Sequence, residues 1–191
     1  MIDMELVRMN KKYKILALFG ESGAGKDTIK NILIKHEDVN NIINTTTRPI
    51  REGEINGINY HFIDATEFAE RILNGDFIEA TEFNDWFYGT SIRELDIDKV
   101  NVGVFNIYGI ECMLSDPRLE VYPVYVKTSD KIRLKRALER EDNPDCTEIC
   151  RRFFADKKDF SDIPFSYDIV GNDDRSCYAN MQITSIYNSI K

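Results

Sequence analysis

The sequence predicts an α/β fold, a parallel sheet sandwiched between helices in three layers, and three observations carry that prediction. The apolar run Lys14-Ile15-Leu16-Ala17-Leu18-Phe19 has the pattern of a strand buried on both faces. It leads straight into the glycine-rich segment Gly20-Glu21-Ser22-Gly23-Ala24-Gly25-Lys26. Beyond it, Thr28 to His36 sets Ile29, Ile32 and Leu33 on one helical face. Strand, glycine loop and helix in this order make the repeating unit of a parallel sheet.

The remaining elements follow the same logic. Asn41 to Asn44 reads as a second strand, and a polar loop with Pro49 follows it. Thr66 to Asn74 reads as a helix. Val100 to Phe105 and Val121 to Lys127 are further core strands. Asp130 to Arg140 reads as a helix with Ile132, Leu134 and Leu138 inward, and with Arg136 and Arg140 four apart on one face. The polar stretch Asp142 to Cys146, containing Pro144, turns the chain; helix resumes from Thr147 to Asp159 and carries Arg151 and Arg152. Tyr167 to Val170 is a last strand, and Arg175 to Ile190 a final helix that Asp173 can cap.

Composition narrows the class. The chain has 191 residues, 42% hydrophobic and 30% charged, which suits a soluble globular protein with one sizeable core. No apolar stretch approaches a membrane span, and Met1 to Tyr13 lacks a signal-peptide core, so a cytoplasmic enzyme that stays off membranes is expected. A net charge of −8 argues against nucleic-acid binding. The cysteines are Cys112, Cys146, Cys150 and Cys177; there is no C-x-x-C pair, and neither His36 nor His61 lies near them in sequence. Ordinary reduced thiols are expected rather than a zinc site.

The glycine segment fits the phosphate-binding pattern G-x-x-x-x-G-K. Its glycines let backbone amides close on an anion, and the helix N-terminus adds its dipole. Ser22, Gly23, Ala24, Gly25 and Lys26 are therefore candidate contacts to ATP, with Lys26 placing a point charge on the β- and γ-phosphates. Asp27 stands where Ser or Thr is usual. A carboxylate about 4 Å from a phosphate charge would be repelled by about 4 kcal/mol at an effective dielectric near 20. Asp27 therefore either contacts Mg²⁺ or turns outward to pair with a cation, and Thr28 is placed to supply the missing hydroxyl.

A second signal lies at Thr45 to Phe62. Arg48 and Arg51 straddle Pro49, and two guanidinium forks so placed suit a monophosphate. Glu54 can orient one of them, and Tyr60 and Tyr88 can add neutral donors.

Thr46, Thr47, Arg48, Arg51, Gly53, Glu54, Gly57, Tyr60 and Phe62 resemble the guanylate kinase signature S-x-T-T-R-x-x-R-x-G-E-x-x-G-x-x-Y-x-F. The glycine loop is similar to that family's G-P-S-G-A-G-K, Gly75 to Glu79 to its segment ending F-I-E, and Phe87-Tyr88-Gly89-Thr90 to its Y-Y-G-[ST]. The resemblance runs from about residue 14 to the C-terminus. It implies a P-loop NTPase three-layer fold in one domain spanning 1–191. The core would be 14–44, 91–138 and 151–191, with an inserted lobe for the nucleoside monophosphate at 45–90 and a helical lid at 139–150.

The resemblance also implies roles. Arg48, Arg51, Tyr60 and Tyr88 would hold the acceptor phosphate, and Glu54 supports them. Glu79 matches the carboxylate that reads guanine N1–H and the 2-amino group, and Thr90 a second base contact. Asn44 stands where the family has Ser, and an amide can still reach guanine O6. The family's D-x-D-x-x-G aligns with Asn106 and Tyr108, so both carboxylates are gone, and Asp27 is a candidate replacement for the first. Arg136, Arg140 and Arg152 match lid arginines that act with Lys26 and Arg48 on the moving phosphoryl. Asn172, in Gly171-Asn172-Asp173-Asp174, matches a segment near the adenine of ATP. The implied reaction transfers the γ-phosphoryl of ATP, with Mg²⁺, to GMP or dGMP, in a monomer or homodimer. Asn44, Asn106 and Tyr108 keep open a deoxynucleotide or broader acceptor range. A silent protein-binding module of the same fold is the reading against which Lys26 counts, and Glu79 with the intact Arg48 to Tyr60 segment counts against a sugar-phosphate kinase.

Overall fold

The computed structural model describes residues 11–51, 53–83, 85–140, 143–173 and 177–191. The strands are β1 Tyr13–Phe19, β2 Val39–Asn41, β3 Thr45–Thr46, β4 His61–Phe62, β5 Phe77–Phe83, β6 Trp86–Ser91, β7 Val100–Val104, β8 Leu119–Lys127 and β9 Asp168–Gly171. The helices are α1 Lys26–Leu33, α2 Ala65–Leu73, α3 Ile107–Leu114, α4 Asp130–Leu138, α5 Cys146–Asp159 and α6 Cys177–Ile190. Five strands form a parallel sheet in the order β2-β7-β1-β8-β9. A second sheet, β4-β3-β6-β5, pairs β3 parallel to β4 and antiparallel to β6, and β6 antiparallel to β5.

Strand β1 is central, and its side chains alternate between two cores. Leu16 and Leu18 join Val102, Val124 and Val126 under Ile29 and Leu33 of α1 and Ile183 and Tyr187 of α6. Ile15, Ala17 and Phe19 face the other side, against Phe105, Ile110 and Met113. Residues Ile15 to Phe19 are fully buried, and each large aliphatic among them contributes about 1.5–3 kcal/mol by burial. The uninterrupted apolar run in the sequence reflects this two-sided burial. Being central also sets the loop after β1 at the carboxyl end of the sheet, where parallel α/β folds bind their ligands.

Several elements differ from the sequence reading. The second core strand ends at Asn41 instead of spanning Asn41 to Asn44: its ladder on β7 runs from Val39 to Asn41, and Ile42 N adds one bond to Val102 O at 2.9 Å. The chain then crosses to the second sheet, with Asn44 between the two. Helix α3 was not anticipated; Asn106 caps it, its Oδ1 accepting from Gly109 N at 2.7 Å. In α4, Leu138 is 45% exposed, and the buried residue is Arg133 at 1%. Asp64 and Asp145 cap α2 and α5. Asp173 binds Ser129 N at the start of α4. Asp142 in the lid turn, and Asp174 and Arg175 before the final helix, lie outside the described residues. Among the described residues no helix is long and apolar enough to cross a membrane.

Candidate active site

The loop between β1 and α1 turns through left-handed backbone at Gly23 and Gly25, with φ of 77° and 89°. A Cβ on Gly25 would land on the Asn172 side chain, so glycine is required there by both conformation and space. Lys26 Nζ crosses the loop and donates to Gly20 O at 2.6 Å and Glu21 O at 3.1 Å. Burial lowers its pKa, and the neighbouring Asp27 charge opposes that shift. Asn172 is buried behind the loop, donating to Ala24 O at 2.8 Å, while its Oδ1 has no hydrogen-bond partner among the described residues. Ser22 is turned toward α5, its backbone N–H donating to Asp156 Oδ2 at 2.8 Å. Asp27 and Thr28 are exposed on the first turn of α1, and neither side chain makes a hydrogen bond or ion pair among the described residues.

The second sheet presents the anion-binding candidates. Arg48 is buried, and its Nη2 donates to both carboxylate oxygens of Glu54, at 2.7 and 3.0 Å. Its Nη1 donates to Pro49 O, and its guanidinium lies over the rings of Tyr60 and Phe62 at 5.6 and 5.5 Å. Glu54 also accepts from Arg51 N at 2.8 Å, so one carboxylate fixes the Arg48 fork and the loop bearing Arg51, whose side chain is exposed. Arg48 holds the Glu54 carboxyl below its usual range. The rings of Tyr60 and Tyr88 lie 6.1 Å apart. Burial raises the Tyr60 pKa, and the charges of Tyr88 and Asp27 add to it. Asp27, on α1, is thus within electrostatic reach of Tyr60, which immediately precedes β4.

Glu79, Thr90 and Asn44 form a hydrogen-bonded polar group. Glu79 on β5 is 7% exposed, and its Oε1 accepts from Thr90 Oγ1 at 2.6 Å. Thr90 Oγ1 also lies 3.2 Å from Asn44 Oδ1, and Asn44 Nδ2 donates to Val104 O at 3.3 Å. Burial pushes the Glu79 carboxyl up to about 7, and the Thr90 hydrogen bond partly offsets this. Asn106 Nδ2 donates to Thr81 Oγ1 at 3.0 Å, whereas Tyr108 is 60% exposed.

Of the lid arginines, Arg136 lies against the loop, donating to Ala24 O at 3.2 Å and Asn172 O at 2.7 Å. Arg152 instead bonds Glu148 on its own helix at 2.6 Å, which Arg151 also grips, and Glu148 is held down to about 2 by the two guanidinium groups. Arg140 is exposed.

Sequence reasoning missed Arg133. It donates to Glu21 Oε1 at 2.9 Å, Asp130 Oδ1 at 3.0 Å, Asp156 Oδ2 at 2.7 Å and Ser22 O at 2.9 Å, and it covers the Phe153 ring at 5.2 Å. Glu21 accepts a further bond from Tyr125 Oη at 2.7 Å. The legible signal was Glu21 itself, standing where the resembled loop has proline; nothing local pointed to its partner 112 residues on.

The family model for guanylate kinase matches residues 12–184. The guanylate kinase of Helicobacter hepaticus (strain ATCC 51449 / 3B1) is 33% identical over 173 residues, 85% of this chain and 84% of that protein. That of Campylobacter jejuni (strain RM1221) is 33% identical over 144 residues, 72% and 70% of the two chains. That of Clostridium perfringens (strain SM101 / Type A) is 42% identical over 88 residues, and there the match spans 41% of the relative's length. The guanylate kinase from Anaplasma phagocytophilum shares the fold, with a TM-score of 0.67 at 23% identity over 95% of this chain and 86% of that one. With a matching family model over most of its length, and a relative 33% identical over 85% of it, the chain belongs to the guanylate kinase family.

Proposed function

We propose that this chain transfers the γ-phosphoryl of ATP to GMP or dGMP, giving ADP and the nucleoside diphosphate. The observations that carry this are the hydrogen-bonded trio Glu79, Thr90 and Asn44, the Arg48–Glu54–Tyr60 cluster and a phosphate loop that keeps Lys26. An ionised Glu79 offers two adjacent acceptors, which match the N1–H and 2-amino donors of guanine. Arg48, Arg51, Tyr60 and Tyr88 hold the acceptor phosphate, and Glu54 fixes the Arg48 fork.

The phosphate oxygen of the acceptor is already a competent nucleophile, so no general base is required. Catalysis comes from alignment and charge stabilisation. Lys26 leaves the carbonyls of Gly20 and Glu21 for the phosphates, and Arg136 is already seated at the loop. Arg140 and Arg152 reach the phosphoryl only when the lid at 139–150 moves over the site, with the acceptor lobe at 45–90 closing on the core. Closure excludes the water that would otherwise hydrolyse ATP.

Asp27 and Thr28 fit Mg²⁺ arriving with ATP. They are two hard oxygen donors without a partner among the described residues, and Mg²⁺ keeps most of its shell as water and phosphate oxygens. Asp27 and Thr28 would hold such an ion, which would supply charge neutralisation for the ATP phosphates. The enzyme is read as cytoplasmic, and as a monomer or homodimer.

The test is ADP production from Mg²⁺-ATP with GMP, dGMP, AMP, CMP, UMP and dTMP at about pH 8. Turnover confined to GMP and dGMP is expected. Preference for a pyrimidine, or no turnover with any acceptor, would overturn the assignment.

A further inference from the structure

We propose that base selection is gated by a single proton on Glu79: the ionised carboxylate selects guanine, and the neutral acid admits a 6-aminopurine monophosphate. The proposal rests on the acceptor reading above and adds a second substrate class to it.

The geometry isolates this carboxyl. Glu79 is buried, and its one hydrogen bond among the described residues is from Thr90 Oγ1 to Oε1. No described cation pairs with it. Oε2 sits against the backbone of Gly109, 2.9 Å from where a Cβ would stand. The elements packed on β5 carry Tyr88 on β6, Tyr108, Glu111 and Cys112 on α3, and Glu67, Glu70 and Arg71 on α2; β5 itself carries Glu82. None of these displaces the Glu79 equilibrium, which is raised to about 7 by burial against the single opposing effect of Thr90. Gly109 N, one of the first-turn amides of α3, is taken by Asn106 Oδ1 at 2.7 Å.

The proton inverts what the pocket reads. A carboxylate presents two acceptors, complementary to guanine N1–H and the 2-amino group. A carboxylic acid presents one O–H donor and one acceptor, and its O–H matches adenine N1, which accepts. Where guanine places O6, adenine places an amino group, so the group facing it must change from donor to acceptor. Asn44 carries both groups on one amide, Oδ1 toward Thr90 and Nδ2 toward Val104, so it has an acceptor for the adenine amino group as well as a donor for guanine O6. Guanine binding to the neutral form converts Glu79–COOH to Glu79–COO⁻ and releases one proton to solvent.

Two measurements test this. The ratio of kcat/KM for GMP to that for AMP is followed from about pH 5.5 to 8.5; ionisation of the nucleotide phosphate near pH 6 is common to both acceptors and cancels in the ratio. The ratio is expected to rise about tenfold per pH unit throughout this range, because GMP uses the ionised carboxylate and AMP the neutral acid of the same one-proton equilibrium. In Glu79→Gln, a permanent donor–acceptor pair, it should be low and flat. Calorimetric titration of wild-type enzyme with GMP in buffers of different ionisation enthalpy at about pH 6 should show more proton release than titration with AMP, so the idea stays testable even if the variant does not fold. GMP turnover with a pH-independent ratio, or equal proton release with GMP and AMP, overturns the gate and leaves guanylate kinase activity standing. Absence of both GMP binding and turnover overturns the acceptor reading and the gate with it.

Discussion

Arg133 and Glu21 form an ion pair of 2.9 Å beneath the phosphate loop, with the arginine 1% exposed. Asp156 closes the arrangement from α5, bonding both Arg133 and Ser22 N. One buried cation therefore ties the loop, α4 and α5 together, and Arg152 lies one turn from Asp156 on the same helix. The loop's resting shape and the root of the lid are set by the same guanidinium.

Removing that guanidinium leaves the buried Glu21 carboxylate and the part-buried Asp156 carboxylate without their cation. Arg133→Met should cost about 3–5 kcal/mol of unfolding free energy, since losing one partner of a buried pair strands the other. Adding Glu21→Gln to that variant should recover part of the loss. Urea denaturation of the single and double variants measures both, and additive effects would show that the two residues are not coupled.

Gly25, like Gly20 and Gly23 in the same loop, has no room for a side chain. Its φ is 89°, and an added Cβ meets Asn172. Gly25→Ala should destabilise the protein by about 1–3 kcal/mol and weaken ATP binding at least tenfold. Gly53 has a φ of 79° but nothing within 4 Å of an added methyl group, so Gly53→Ala should carry the backbone strain alone and leave ATP binding intact. Nucleotide titration and thermal melts of the two variants separate the clash from the strain.

Arg48 holds Glu54 through one nitrogen on two oxygens while its face rests on Tyr60 and Phe62. Lysine keeps the charge but loses both the fork and the stacking surface. Arg48→Lys should raise the KM for GMP at least tenfold with little change in the KM for ATP. Steady-state kinetics with each substrate varied in turn decides it; equal effects on both would place Arg48 outside the acceptor half.

The legible parts of this molecule were those written in contiguous residues. Strand β1, the loop and α1 carry their own pattern, because two-sided burial leaves an uninterrupted apolar run and the left-handed turns demand glycine at fixed spacing. Glu79, Thr90 and Asn44 were named from motifs, and the structure brings them together. Arg133 was not legible: a charged residue on an amphipathic helix reads as solvated, and only the fold reveals carboxylates 23 and 112 residues away. Leu138 was misjudged for the same reason, since the face of α4 turned to the core is chosen by that ion network. Helix α3 escaped notice because Asn106 and Tyr108 invited comparison with lost carboxylates, although Asn106 is equally a good N-cap.

The same isolation that sets Glu79 apart in the base pocket leaves a trace in stability. Its carboxyl is raised from an ordinary 4.5 to about 7 on folding, so the folded state binds a proton more tightly than the unfolded chain. The sign follows directly: the contribution is fully present below about 4.5, declines as pH rises, and is lost above about 7. That separation of about two and a half pH units corresponds to about 3 kcal/mol between the two limits, an upper figure because an opening pocket lets water in. Glu79→Gln cannot ionise and should flatten the curve, making the variant relatively more stable than wild type at pH 8 than at pH 5. Urea unfolding without nucleotide at the two pH values reads the difference between the proteins, in which the other titrating groups cancel. A wild-type curve parallel to that of the variant would mean that Glu79 is ionised throughout this range.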